Sequence, residues 1–288
     1  MDDLLKIKGL CKAYKDFSLS NVSFSVPQDS VVGLVGVNGA GKTTIIRSAL
    51  GIIPVNGGQL EICGALPTAN VKQDVGIVFD TCSFPDEITV HDVARMMKAS
   101  YSNWDAEVFS KNLQEFSLPT SRKIRELSRG MGMKLMLAIA LSHQARLLVL
   151  DEATAGLDPL ARDEVLEVLR SYMERPGRGI LMSTHITSDL ERIADYIVCI
   201  DAGKVLFSCD KDAITEVAGI ARCRKDQFAA VMESGKLKPG ETHFSCHAYG
   251  VDVLVDDRCA FTREFPEIAV EKISIDEYMR LTLKGDIR

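Results

Sequence analysis

Ten residues, GVNGAGKTTI from Gly36 to Ile45, place three glycines, one lysine and two threonines in a spacing that could hold phosphate. Gly36, Gly39 and Gly41 permit backbone conformations closed to other residues. The N–H groups around Val37, Asn38, Gly39 and Ala40 can then turn inward on one anion. Lys42 can reach β- and γ-phosphates, the Thr43 hydroxyl can ligate Mg²⁺, and Thr44 continues the first helical turn. A second group follows in RLLVLDEATAGLDP, Arg146 to Pro159. Asp151 could hold Mg²⁺ through water, and Glu152 could polarise an attacking water as general base. His185, which ends GILMSTH, could hydrogen-bond the γ-phosphate and that water, although a lone histidine at a strand end is more often a surface residue. In LSRGM, Ser128 and Gly130 stand where a helix begins, with N–H groups free to face an anion. Local chemistry alone reads that motif as simple helix capping.

These groups act together only if the chain positions them. SVVGLV, Ser30 to Val35, reads as a buried strand, and TTIIRSALG has helical spacing that stops at Gly51. Strand, glycine loop and helix make up the P-loop pattern, Gly36-x-x-x-x-Gly41-Lys42-Thr43; an idle glycine-rich turn would not need those flanks. Leu147 to Leu150 is wholly apolar and ends in two acids. A buried parallel strand delivers its C-terminal residues to the ligand crevice, which predicts Asp151 beside the loop.

With 46% hydrophobic and 26% charged residues, the composition is ordinary for a globular chain, and a net charge of −6 gives no footprint for nucleic acid. The eight cysteines form no Cys-x-x-Cys pair, and MDDLLKIKGL is acidic without an apolar leader core, which predicts reduced thiols in the cytosol. No charge-free run approaches the roughly 18 residues of a membrane helix. LMLAIAL, Leu135 to Leu141, reads as a buried core helix, so any work at a membrane requires another chain to cross it.

In order along the chain, the motifs resemble the nucleotide-binding subunit of an ABC transporter over roughly residues 4 to 208. Tyr14 in CKAYKDF matches the aromatic that stacks on adenine, residues 36–43 the Walker A loop, and residues 127–131 the signature. Leu147 to Asp151 matches Walker B with Glu152 as the catalytic carboxylate, AGLD ending at Asp158 the D-loop, and His185 the switch histidine. The resemblance implies ATP and Mg²⁺ as cofactors, a homodimer or heterodimer of ATPase subunits, and a separately encoded permease. The subunit would lie peripherally on the cytoplasmic face. In such a pair, Ser128, Arg129 and Gly130 would face the partner's nucleotide. The pattern looks most like exporters of the antibiotic-resistance type. Two positions depart from the family. Arg129 replaces the signature's first glycine and Met131 its glutamine, and Asp80 stands where a glutamine usually follows a strand. A carboxylate at Asp80 could still serve Mg²⁺ but adds charge and removes an N–H donor.

The expected fold class is α/β: a P-loop NTPase core with an antiparallel β subdomain and a helical subdomain, plus a small C-terminal α/β appendage. Residues 1–208 form the ATPase domain, with short strands in 1–30 and 57–63 carrying Tyr14 and a helical insert at about 84–144. That insert includes VHDVARMMKASY, AEVFSKNLQEFS and a helix over 131–143, with Trp104 packing between them. Residues 209–288 form the accessory domain: DAITEVAG as helix, HAYGVDVLVDD as a strand, SIDEYMRLTLKG as an amphipathic helix. His243, Cys246 and His247 lack a clear fourth metal ligand and read as a solvated loop. Two other functions compete. A soluble ABC-type ATPase acting on ribosomes or DNA usually carries two cassettes or a long coiled coil, absent here. A small-molecule kinase or GTPase would leave Ser128 and Asp158 without a purpose, and no Asn-Lys-x-Asp motif occurs.

Overall fold

The computed structural model describes residues 3–235, 237 and 242–287. Two compact units emerge, Met1–Ile186 with Tyr196–Ser208, and Thr187–Asp195 with Cys209–Arg288.

In chain order the elements of the first unit are β1 (Asp3–Ala13), β2 (Ser18–Pro27), β3 (Ser30–Val35), α1 (Lys42–Ala49), β4 (Gly57–Ile62), β5 (Val75–Val78), α2 (Val90–Ser100), α3 (Ala106–Glu115), α4 (Arg129–Leu141), β6 (Leu147–Asp151), α5 (Pro159–Met173) and β7 (Gly179–Ser183). After α6 (Thr187–Ile193), which groups with the second unit, come β8 (Tyr196–Asp201) and β9 (Lys204–Asp210). β3, β6 and β7 are buried at every residue, as expected of central parallel strands covered on both faces. They belong to a six-stranded sheet ordered β5-β6-β7-β3-β8-β9. The register sets Asp151 opposite Ser183 on one side of β7 and Leu34 opposite Ser183 on the other. The carboxyl ends of β3, β6 and β7 therefore lie side by side. β2 instead alternates buried and open residues and pairs with β1 in an antiparallel sheet ordered β2-β1-β4. Leu34, Ile45, Ile46, Leu181 and Val198 are among the residues that join both sheets and α1 in one core.

The helices α2, α3 and α4 share a separate core around Val93, Phe109, Leu113 and Leu135, against which the half-buried Trp104 packs with its ring centroid 5.0 Å from that of Phe109. α4 starts at Arg129, two residues before the sequence expectation. Ser128 Oγ accepts from Met131 N at 3.3 Å, which fixes the helix start at the hydroxyl rather than at the first apolar residue.

The second unit holds β10 (Gly219–Cys223), α7 (Lys225–Glu233), β11 (His243–His247), β12 (Gly250–Val255), α8 (Arg258–Glu264), β13 (Ala269–Lys272), α9 (Ile275–Lys284) and β14 (Asp286–Ile287). Its five-stranded sheet, ordered β13-β10-β12-β11-β14, is antiparallel throughout. Phe228, Val231 and Phe261 pack on Ala221 and Val253. HAYGVDVLVDD is not one strand but the turn and second arm of a hairpin, with His247 paired to Gly250. Gly250 must be glycine there, because a Cβ would lie 2.4 Å from the Cys223 carbonyl oxygen on the adjacent strand. DAITEVAG is helical only over Ala213–Val217. His247 Nε2 lies 3.1 Å from Asp252 Oδ1, and among the described residues no His, Cys, Asp and Glu side chains cluster as a metal site. All eight cysteines are free thiols, and burial pushes Cys209 and Cys223 up to about 11. No described helix is long and apolar enough to cross a membrane.

Candidate active site

The glycine loop leaves β3 and turns directly into α1. Gly36 allows no side chain, since a Cβ would stand 2.3 Å from the Ile200 carbonyl oxygen on β8. Gly41 has φ 114, a conformation that disfavours any side chain, and a Cβ there would meet the Phe17 ring at 2.7 Å. α1 has no side-chain cap and no acid in its first turn. Its leading N–H groups and the positive end of its dipole are thus available to an anion.

Lys42, 6% exposed, donates from Nζ to the Gly36 carbonyl at 2.8 Å and lies 3.3 Å from Glu152 Oε1. The other Glu152 oxygen, Oε2, is 2.7 Å from His185 Nδ1. An ionised carboxylate only accepts, so the Nδ1–H donates to it and Nε2 is the ring nitrogen left without this partner. One carboxylate therefore bridges the loop lysine and the histidine. Its aim depends on the backbone: Glu152 has φ 53, in the left-handed region. Such a residue costs roughly 1–3 kcal/mol and persists only where its surroundings impose it. The Glu152 amide donates to the Ser183 carbonyl at 3.0 Å, and Ser183 Oγ donates to Asp151 Oδ1 at 2.6 Å. Asp151 itself is 4% exposed.

A cavity of about 370 Å³ opens over the loop, lined by residues 38–44, Glu152 and His185. Asp80 and Arg129 also line it. Asp151, Gly36 and Val37 are not in the lining; the carbonyls of residues 36 and 37 face Lys42 Nζ at 2.8 and 3.5 Å. Ser128, Gly130 and Asp158 are not part of the lining. Asp158 Oδ1 accepts from Ala161 N at 3.0 Å and caps α5, as Ser128 caps α4.

The aromatic in the cavity is Phe17, not the expected Tyr14. Tyr14 N donates to the Phe17 carbonyl at 2.8 Å, closing a tight turn that carries the Phe17 ring against Gly41. Tyr14 is 48% exposed, with Lys12 Nζ 5.1 Å from its ring centroid. Sequence reasoning passed over Ser183, and it placed Ala155 only at the start of the D-loop, not in the cavity that this residue lines. The polar end of GILMS was the only signal for Ser183, and its meaning depends on the register that sets it beside Asp151.

The family model for ABC transporters matches residues 19–155. The chain is 33% identical over 221 residues to Nod factor export ATP-binding protein I of Rhizobium johnstonii, covering 74% of this chain and 71% of that protein. It is 30% identical over 260 residues to the bacitracin transport ATP-binding protein BcrA of Bacillus licheniformis, 87% of this chain and 83% of that one. A solved ATP-binding subunit of an ABC transporter superposes with a TM-score of 0.67 at 29% identity, covering 73% of this chain and 91% of the other. A phosphate-cradling loop faced by an aimed carboxylate, on a chain matched this widely, leaves one conclusion: the protein belongs to the ABC transporter family, as one of its ATP-binding, ATP-hydrolysing members.

Proposed function

We propose that this chain powers export through a separately encoded permease, as one of a pair of ATPase subunits on the cytoplasmic face of a membrane. The observation that carries the reading is the Glu152 carboxylate held between Lys42 and His185 at the mouth of the glycine loop. The loop amides and the start of α1 cradle the phosphates, with Lys42 on the β- and γ-phosphates. Glu152 accepts a proton from the attacking water, and His185, when both of its ring nitrogens carry protons, donates from Nε2 to the γ-phosphate. Thr43, Asp80 and Asp151 offer only oxygen donors, a set suited to Mg²⁺. Bound there, the ion neutralises charge developing on the phosphate oxygens. In the pair, Ser128 and Gly130 present the start of α4 to the partner's nucleotide, and Asp158 lies at the contact. Export is supported by the relatives, one named for Nod factor export and another for bacitracin transport. The second match extends over 260 residues and so takes in part of the second unit.

Tagged chain from its own cells should sediment with membranes and be recovered from detergent extracts with a polytopic membrane protein. Recovery wholly in the high-speed supernatant, with ATP turnover intact, would point to an ATPase without a permease. A second measurement addresses the base. Removing a stacked aromatic costs about 1–3 kcal/mol per base. Phe17→Ala should therefore weaken ATP binding roughly tenfold in calorimetry, leave inorganic triphosphate binding unchanged, and exceed the effect of Tyr14→Ala. The reverse ranking would return the stacking role to Tyr14.

A further inference from the structure

Arg129 opens α4 and reaches into the cavity that holds the glycine loop of its own chain. Its guanidinium lies on Gly156: a Cβ built on that glycine would come within 2.9 Å of Nη1 and 3.1 Å of Cζ. Gly156 has φ +71 and directly follows Ala155, which lines the same cavity. The bare backbone of the loop after Glu152 is thus a seat for the arginine. The charges of the cavity single out this side chain. Lys42 is held by Gly36 and Glu152, and His185 by Glu152. Among the described residues the Arg129 side chain has neither hydrogen bond nor ion pair. Asp80 lines both this cavity and a smaller adjoining one with Arg129, and its own hydrogen bond comes from Thr81 Oγ1 at 3.5 Å.

We propose that Arg129 is a ligand for the terminal phosphate of the ATP bound by its own chain, so that the start of α4 reads the nucleotide within one subunit before any pairing. The inference rests on the reading of the cavity as the ATP site. A guanidinium presents a planar fork of donors that matches phosphate oxygens, and a charge-assisted bond of this kind is about twice as strong as a neutral one. The arginine lines the cavity together with Glu152, the carboxylate assigned to the attacking water, and with Ala155. ADP lacks the group that the fork would hold.

The test is titration of the full chain with ATP and with ADP, in EDTA to prevent turnover, at a concentration where ultracentrifugation shows monomer. Arg129→Ala should weaken ATP about tenfold and leave ADP within about twofold. Arg129→Lys keeps the charge without the fork and should recover part of the loss. Gly156→Ala, which crowds the guanidinium without removing it, should move ATP in the same direction as Arg129→Ala. The ratio of ATP to ADP affinity, taken on protein that melts cooperatively, separates a lost phosphate contact from a damaged fold. An unchanged ratio in Arg129→Ala overturns the proposal. So does a loss that appears only in dimer, because the arginine would then act on the partner's nucleotide. Wild-type chain that binds no ATP would instead overturn the reading of the site itself.

Discussion

Glu152→Gln is expected to lower ATP turnover by roughly 10²- to 10⁴-fold, the cost of removing a general base, while ATP still binds. The amide keeps the size and one acceptor oxygen of the side chain but cannot take a proton at neutral pH. Its neighbours are the reason binding survives. Lys42 keeps its bond to the Gly36 carbonyl at 2.8 Å, and the start of α1 is untouched. Losing the carboxylate 3.3 Å from Nζ also leaves the ammonium less neutralised, which favours the nucleotide's phosphates. ATP should therefore accumulate uncleaved, and if two subunits enclose it, a dimer should persist in size exclusion with ATP and fall apart with ADP. Adding Ser128→Arg puts bulk and charge at the start of α4 that should prevent this dimer. A double variant that still dimerises would sink the shared-site arrangement, and turnover at the wild-type rate in Glu152→Gln would remove Glu152 from the chemistry.

Lys42→Ala should abolish tight ATP binding. Two losses combine. The phosphates lose the cation at the start of α1, and Glu152 keeps only His185 as a partner, so its carboxylate now repels the incoming anion. The second effect separates this site from a plain glycine turn, where removing one lysine would cost only its own attraction. Calorimetry against ATP, alongside a thermal melt to confirm folding, decides the matter. Micromolar binding retained by the variant would mean that the loop amides alone carry the affinity.

How much of this was legible beforehand follows from how local each feature is. β3, β6 and β7 could be read directly, because a central parallel strand buries both faces and so writes an unbroken apolar run. The loop could be read because glycine spacing is itself the structural requirement. The start of α4 was displaced by two residues because apolar spacing marks the middle of a helix, whereas its end is set by one hydroxyl on Ser128. The hairpin at Ala248–Tyr249 was hidden, since neither residue announces a turn and the glycine that matters, Gly250, is required by a neighbouring strand. The exchange of Tyr14 for Phe17 has the same origin. Both aromatics sit in one short turn, and only the closing bond from Tyr14 N decides which ring faces inward. The bridge from Lys42 through Glu152 to His185 is less local still, for no spacing in the chain encodes which oxygen meets which nitrogen.

The backbone at Glu152 has a consequence for how this gene can change over time. Its φ of 53 suits glycine or asparagine better than glutamate. A copy released from the duty of turning over ATP would become sturdier by exchanging that residue for either one. Thermal robustness and enzymatic competence thus pull position 152 in opposite directions, and a duplicate that drifts toward an inert scaffold has an inviting first step in losing this carboxylate.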